Sequence, residues 1–437
     1  MPETLPLILF GLIFILILAG YPVAFTLGGM SVIFGYIFLE PEVFNLLPVR
    51  IYGIMSNYVL LAVPLFVFMG IMLEKSGIAE RLLETMALLF GKFRGGMAIS
   101  VIIVGALLAA STGIVGATVI TMGLISLPVM LKRGYSPELA TGTIASSGTL
   151  GQIIPPSVVL VLLGSVLNVS VGDLFTAAII PGVLLVVSYL LYIAGVAIFR
   201  PQIAPSMPRE ELDKFAARTA ADRFRLILFA FFLPFLLILA VLGSIFTGIA
   251  SPTEAAAVGA LGATLLTLLQ GRLSLQTLRE VARETTHLTS MVFIILVGAT
   301  AFSLVFRWMG GDRYLVDLIE QANLSPYAFL ALVMLVVFVA GFFIDFIEII
   351  FIIVPVVAPV FVQLEMDLIW IGILIALNLQ TSFLTPPFGF SLFYLKGVAP
   401  PEVTTRHLYR GIVPFILIQL AFLILVIAFP ELVRMLL

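Results

Sequence analysis

Two stretches of this sequence place hydroxyl and amide side chains just ahead of a proline pair, inside otherwise apolar surroundings. They are TGTIASSGTLGQIIPPS at 141–157 and LNLQTSFLTPP at 377–387. Proline has no N–H and obstructs the preceding turn, so upstream carbonyls lose their helical partners. Carbonyls and Ser or Thr hydroxyls offer only hard oxygen, the ligand set of a cation such as Na+. The half-helix N-termini made by the same breaks carry positive dipole ends, which favour a carboxylate. Ser111, Gly113, Ser146, Ser147, Gly148 and Thr149 are therefore candidate ligands of one Na+, and Gly341, Asp345, Thr381 and Thr385 of a second. Thr112, Gln152, Pro156, Gln380 and Pro387 are candidates for substrate binding beside them. The competing reading is that these small residues merely let helices pack closely.

Asp345 and Glu348 lie three apart in an apolar run and so share a helical face. A carboxylate at mid-bilayer costs at least about 2.5–3.5 kcal/mol, which makes it a functional candidate. The alternatives are a place near the outer water boundary or a cap on a helix. Arg307 and Lys396 sit at span ends, where long cationic side chains snorkel. Enzymatic chemistry has little to stand on. There is no cysteine, the two histidines fall near span ends, and no HExxH, Walker A or GxSxG pattern occurs.

The elements that must position these residues are membrane helices. The chain has 437 residues, 62% hydrophobic and 11% charged, against roughly 25% charged in ordinary globular proteins. A net charge of −2 argues against a nucleic-acid partner. Hydropathy and breakers predict segments at 5–19, 22–39, 55–74, 95–131, 138–166, 173–199, 226–248, 253–270, 286–307, 327–361, 367–396 and 410–430. The first lacks a basic n-region and a cleavage site, so it reads as a retained helix. The run 95–131 would be about 55 Å long as one helix, against a hydrocarbon core of about 30 Å. It has Lys92 and Arg94 at one end and Lys132 and Arg133 at the other. Re-entrant hairpins at 95–131 and 327–361 leave about ten full crossings. With the N-terminus outside, all of the 22 Lys and Arg except Arg50, Arg307, Arg313 and Arg434 then fall on the cytoplasmic side. Both termini are expected on the outer side, which is the periplasmic side if the membrane is a bacterial inner membrane.

Landmarks recur in order about 230 residues apart: Pro22 and Pro252, Gly77 and Gly311, Pro128 and Pro355, Pro155-Pro156 and Pro386-Pro387. The first half starts outside and the second inside. The predicted fold is an all-α polytopic membrane protein of two inverted-topology repeats, at 1–199 and 226–437, each with one hairpin and one unwound span. A polar linker at 200–225 joins them and ends as an amphipathic cytoplasmic helix.

The strings LAVPLFVFMGIMLEKSG (61–77), GALLAASTGIVGATVITMG (105–123), GTIASSGTLGQIIPPSVVLVLLG (142–164) and LNLQTSFLTPPFGFSLFYLKG (377–397) together carry a family likeness. The chain resembles, over nearly its whole length, the large membrane subunit of tripartite ATP-independent periplasmic (TRAP) transporters. The resemblance implies a sodium-coupled importer of organic acids in a bacterial inner membrane, moving by an elevator mechanism. It also implies two partners, a small four-helix membrane subunit and a periplasmic substrate-binding protein. About two Na+ would bind as coupling ions, one between the hairpin 95–131 and the loop 145–152, the other between the hairpin 327–361 and the loop 379–387. With no four-span block ahead of Met1, the small subunit is expected to be a separate chain. The second hairpin turn has Asp345 but no Ser-Thr pair like 111–112. The rival reading is a sodium/dicarboxylate or anion transporter on the same plan that needs no binding protein.

Overall fold

The computed structural model describes residues 4–113, 115–217 and 219–437, and among them every regular element is helical. Local chemistry sets many of the helix starts. Ser136, Ser251 and Ser325 each precede a proline, and each hydroxyl accepts from a backbone N–H in the following turn. Proline at the first helical position needs no such partner, and the serine satisfies an orphan donor. Ser251 and Glu254 close a full capping box. Asn168, in the left-handed region at φ 55°, ends the half-helix Val158–Leu167.

Six helices among the described residues are long and apolar enough to cross a bilayer. A seventh candidate is the pair Phe346–Ile352 and Val354–Gln363, bent by 50°. The other apolar segments are helices of 10–17 residues, including Leu5–Leu18, Val23–Phe38 and Leu368–Leu384. Two sequence expectations need correction, and the linker gains a detail. The segment begun at 286 starts earlier, as Leu275–Trp308, because Ser274 caps it and nothing breaks the helix before 286. The linker forms a short helix, Arg209–Ala216, and then a second that runs into the next span, because Thr219 caps a new start at Ala220. The left-handed glycine matching Gly77 (φ 71°) is Gly310 (φ 82°), not Gly311.

Both long runs fold back on themselves. In the first, Gly96–Thr112 ends at Gly113 (φ 62°), and Val115–Lys132 returns. The feet of this hairpin are tied to consecutive linker residues: Gly95 N–H donates to the Ala204 carbonyl at 2.9 Å, and Ser136 N–H to the Ile203 carbonyl at 3.2 Å. In the second, Pro326–Ala340 turns at 341–344, and near its two ends the ring centroids of Phe329 and Phe361 lie 5.1 Å apart. Neighbouring feet show that each run folds back, so that both its ends lie on one side, although Val115–Lys132 is itself 18 residues long and apolar enough to cross. The natural chain has no cysteine, so single cysteines report cleanly. Phe93→Cys and Lys132→Cys are expected to label from one side of the membrane only, and Tyr327→Cys and Val362→Cys only from the other. Labelling of Phe93→Cys and Lys132→Cys from opposite faces would sink the first hairpin.

Candidate functional site

The two broken spans are Pro137–Thr149 followed by Val158–Leu167, and Leu368–Leu384 followed by Phe390–Val398. Both proline pairs, each joined by a cis bond, lie in the gaps. The gaps are shorter than the sequence suggested. Ser146, Ser147, Gly148 and Thr149 are helical, and a tight 3-10 turn carries Leu150–Gln152 before the chain opens. Gln380 and Thr381 are helical as well, and only Thr385 stands at the end, as the C-cap. The reason is local. No proline occurs between 138 and 154 or between 360 and 385, so nothing denies those turns their hydrogen bonds.

The hydroxyls are spent on the helix itself. Ser146 donates to the Thr143 carbonyl at 3.1 Å, Ser147 to Ile144 at 2.9 Å and Thr149 to Ser146 at 2.9 Å. Thr381 donates to Leu377 at 2.8 Å and Thr385 to Thr381 at 2.7 Å. Ser382, which sequence reasoning passed over, donates to Leu379 at 2.8 Å. This bonding satisfies groups whose unpartnered burial would cost about 1–3 kcal/mol each. It also fixes their chemistry, because a hydroxyl whose proton is taken has only lone pairs left. Such an oxygen can ligate a cation and cannot donate to a carboxylate.

The amides behave differently. Gln152 is fully buried, and neither its Oε1 nor its Nε2 has a partner among the described residues. Gln380 is also fully buried; its Nε2 donates to Thr149 Oγ1 at 3.4 Å, and its Oε1 is unpartnered. The Gln152 carbonyl is taken by the Ser157 hydroxyl at 2.9 Å, and the Pro387 carbonyl by the Tyr409 hydroxyl at 2.6 Å. Pro156 lies in the first gap and makes no polar contact of its own among the described residues.

Each hairpin turn rests on the break that follows it in sequence. Gly113 sits against Val158, with a hypothetical Cβ only 3.2 Å from the Val158 nitrogen. Gly151 sits directly on the Ala109 carbonyl. In the second half Gly341 sits on Ser382, and the rings of Phe343 and Phe388 lie 5.2 Å apart. Asn378, inside the second break helix, donates to the Met334 carbonyl of the second hairpin at 2.6 Å. The halves also interlock. Ser391 donates to the Ala145 carbonyl at 3.0 Å, and Gly116 of the first hairpin faces the Tyr394 ring. Ser391 gave no sequence signal beyond being polar among aromatics.

The outcome differs by residue. The structure gathers Gly113, Gln152 and the hydroxyls of Ser146, Ser147 and Thr149 around the first break, and Gly341, Gln380, Thr381 and Thr385 around the second. The side chains of Ser111 and Thr112 lie outside the described residues. Gly148 has an ordinary helical φ, since it is not among the positive-φ glycines, and a Cβ there would run into Val119. Its role is close helix approach, not unusual backbone angles. Asp345 and Glu348 form a capping box on Phe346–Ile352: Asp345 Oδ1 accepts from Phe346 N–H, and Glu348 Oε2 from Asp345 N–H at 3.3 Å. Lys396 Nζ holds the Val403 carbonyl at 2.6 Å, and Arg307 Nε lies 3.5 Å from Asp312.

A family model described as "Tripartite ATP-independent periplasmic transporter, DctM component" matches residues 10–432. The chain is 32% identical over 403 residues to the C4-dicarboxylate TRAP transporter large permease protein DctM of Pseudomonas aeruginosa, covering 92% of this chain and 91% of that one. It is 30% identical over 418 residues to the sialic acid TRAP transporter large permease protein SiaM of Vibrio cholerae, covering 95% and 94%. Among solved structures it is similar to the YdaH transporter of Alcanivorax borkumensis, with a TM-score of 0.65 over 98% of this chain and 99% of that one, at 14% identity. That last likeness is one of fold.

Proposed function

The chain belongs to the DctM component family of tripartite ATP-independent periplasmic transporters, and from that premise we propose that it couples inward Na+ movement to import of a small organic acid. The observation that carries this reading is the division of polar groups at the breaks. Hydroxyls with only lone pairs to offer suit two Na+, and the buried amides of Gln152 and Gln380 retain donor capacity for a carboxylate. The side chains of Asp345 and Glu348 are engaged as caps and are secondary to this assignment. C4-dicarboxylates and sialic acid, for which relatives are named, both carry carboxylates, so the class of substrate, not its identity, is proposed.

An inverted repeat is supported by which residues touch. Thr149 and Gln380 meet at a separation of 231 residues, and Tyr189 and Gln419 at 230, with a 2.7 Å hydrogen bond. A pseudo-two-fold axis makes equivalent positions meet wherever it passes between them, and the proline pairs share the same spacing. Such an axis in the membrane plane fits alternating access by movement of the hairpin and broken-span body against the unbroken helices. Each Na+ entering down ~100 mV supplies about 2.3 kcal/mol, and a tenfold gradient about 1.4 more. Two ions thus supply roughly 7 kcal/mol, of which a monoanion uses about 2.3. The remainder suffices for about thousandfold accumulation.

The test is reconstitution of this chain with a small four-helix subunit and a periplasmic binding protein. Uptake is expected only with an inward Na+ gradient, collapsing when Na+ is replaced by K+, and this chain alone is expected to be silent. Na+-driven uptake by the chain alone would favour a transporter that needs no binding protein.

A further inference from the structure

A cavity of about 680 Å³ lies apart from both breaks, and none of the nominated ion or substrate residues lines it. One wall comes from the helices Leu47–Met55 and Leu275–Trp308, which supply Arg50, Ser303 and Arg307. The other comes from the end of Val158–Leu167 and from the second hairpin, with Ser165, Asn168 and Pro355. Asn57 bridges the two walls, its Nδ2 donating to Ser165 Oγ at 3.3 Å. Among the described residues, no Asp or Glu lines the cavity. Arg50 has no ion-pair or hydrogen-bond partner among the described residues. Arg307 Nε lies 3.5 Å from Asp312 Oδ2, and the Arg307 side chain stays 43% exposed. Burial pushes the Asp312 carboxyl above its ordinary range, and the charge of Arg307 opposes that shift.

Two guanidinium groups facing one hollow with no acid between them repel each other and concentrate anions. Arg presents a planar fork matched to a carboxylate, and Asn and Ser donors beside it suit the rest of a small polar anion. The charge distribution assigns Arg50 and Arg307 to the outer side, where only four of the 22 Lys and Arg fall. We propose that this cavity is a receiving site for the carboxylate of the incoming substrate, held by Arg50 and Arg307 on the wall of unbroken helices before it reaches the breaks. The proposal rests on the organic-acid reading above and adds a second, shallower binding site to it.

A cysteine at Ser303 tests the cavity directly in the naturally cysteine-free chain, purified with its small partner subunit in zwitterionic lipid. Relative to a cysteine at Ile249, which is 82% exposed, an anionic methanethiosulfonate is expected to react about tenfold faster than a cationic one. Succinate at millimolar concentration is expected to slow that labelling, and equimolar sulfate to slow it less. The pair Arg50→Gln and Arg307→Gln is expected to remove both the charge preference and the protection, whereas Asp312→Asn preserves both. Gly53→Cys, at a position with open space around it, is a second reporter if Ser303→Cys folds poorly. Labelling indifferent to reagent charge, protection that survives loss of both arginines, or equal protection by sulfate overturns the proposal. The readout needs no transport, so a failure of Na+-driven uptake strikes the functional reading alone.

Discussion

Gly151→Ala is expected to reduce uptake by about 100-fold while the protein still reaches the membrane, because a misplacement of about 1 Å at a site can cost that much. A methyl group at position 151 would land on the carbonyl of Ala109, in the first arm of the first hairpin. The obstacle is backbone, so no side-chain rotation relieves it, and the hairpin must move away from the break. Overpacking of this kind typically costs about 1–3 kcal/mol, which a folded polytopic protein survives. Gly195→Ala is the control. Nothing lies within 4 Å of a Cβ there, and alanine in a helix interior is favoured over glycine by up to about 1 kcal/mol. Wild-type uptake by Gly151→Ala, measured against folded protein, would show that hairpin and break need not meet as the structure has them.

Gln152→Leu is expected to move stability and transport in opposite directions. Both amide atoms are buried and unpartnered among the described residues, and each such group costs about 1–3 kcal/mol. Leucine has similar bulk and no polar atoms, so the unfolding temperature in Na+-free buffer is expected to rise. If the amide orients substrate or ion, removing it costs about 3 kcal/mol of binding, and uptake falls roughly 100-fold. Gln152→Glu would leave the shape and add a charge, and is expected to depress uptake of an anion further. A Gln152→Leu variant that transports normally would return this residue to ordinary packing. A lowered unfolding temperature would point to a structural partner for the amide.

Much of this molecule was legible in the sequence because the signals are local. Prolines 155, 156, 386 and 387 cannot continue a helix, so the two gaps sit where the sequence puts them. The run 95–131, too long for one crossing and with basic residues at both ends, required a turn, which Gly113 supplies. The run 327–361 reads as a hairpin from its length and its break, and residues 341–344 turn it. The spacing of Asp345 and Glu348 was visible too, but it fits both a shared helical face and a capping box. Only the start of Phe346–Ile352 at that point settles the choice. The same limit applies to Gly148 and Gly151. Glycine can mark a left-handed turn or a close approach, and only the neighbours Val119 and Ala109 show that both are approaches. Whether a hydroxyl is free depends on helix continuity, which moved Ser146, Ser147 and Thr149 from unwound chain to back-bonded helix. Arg50 and Arg307 lie far apart in sequence with no periodicity linking them, so their convergence on one cavity came only from packing Leu47–Met55 against Leu275–Trp308. Local sequence determines where a helix can start, bend and stop, because those rules act within a turn or two. Which side chains share a cavity is decided by helices brought together from distant parts of the chain.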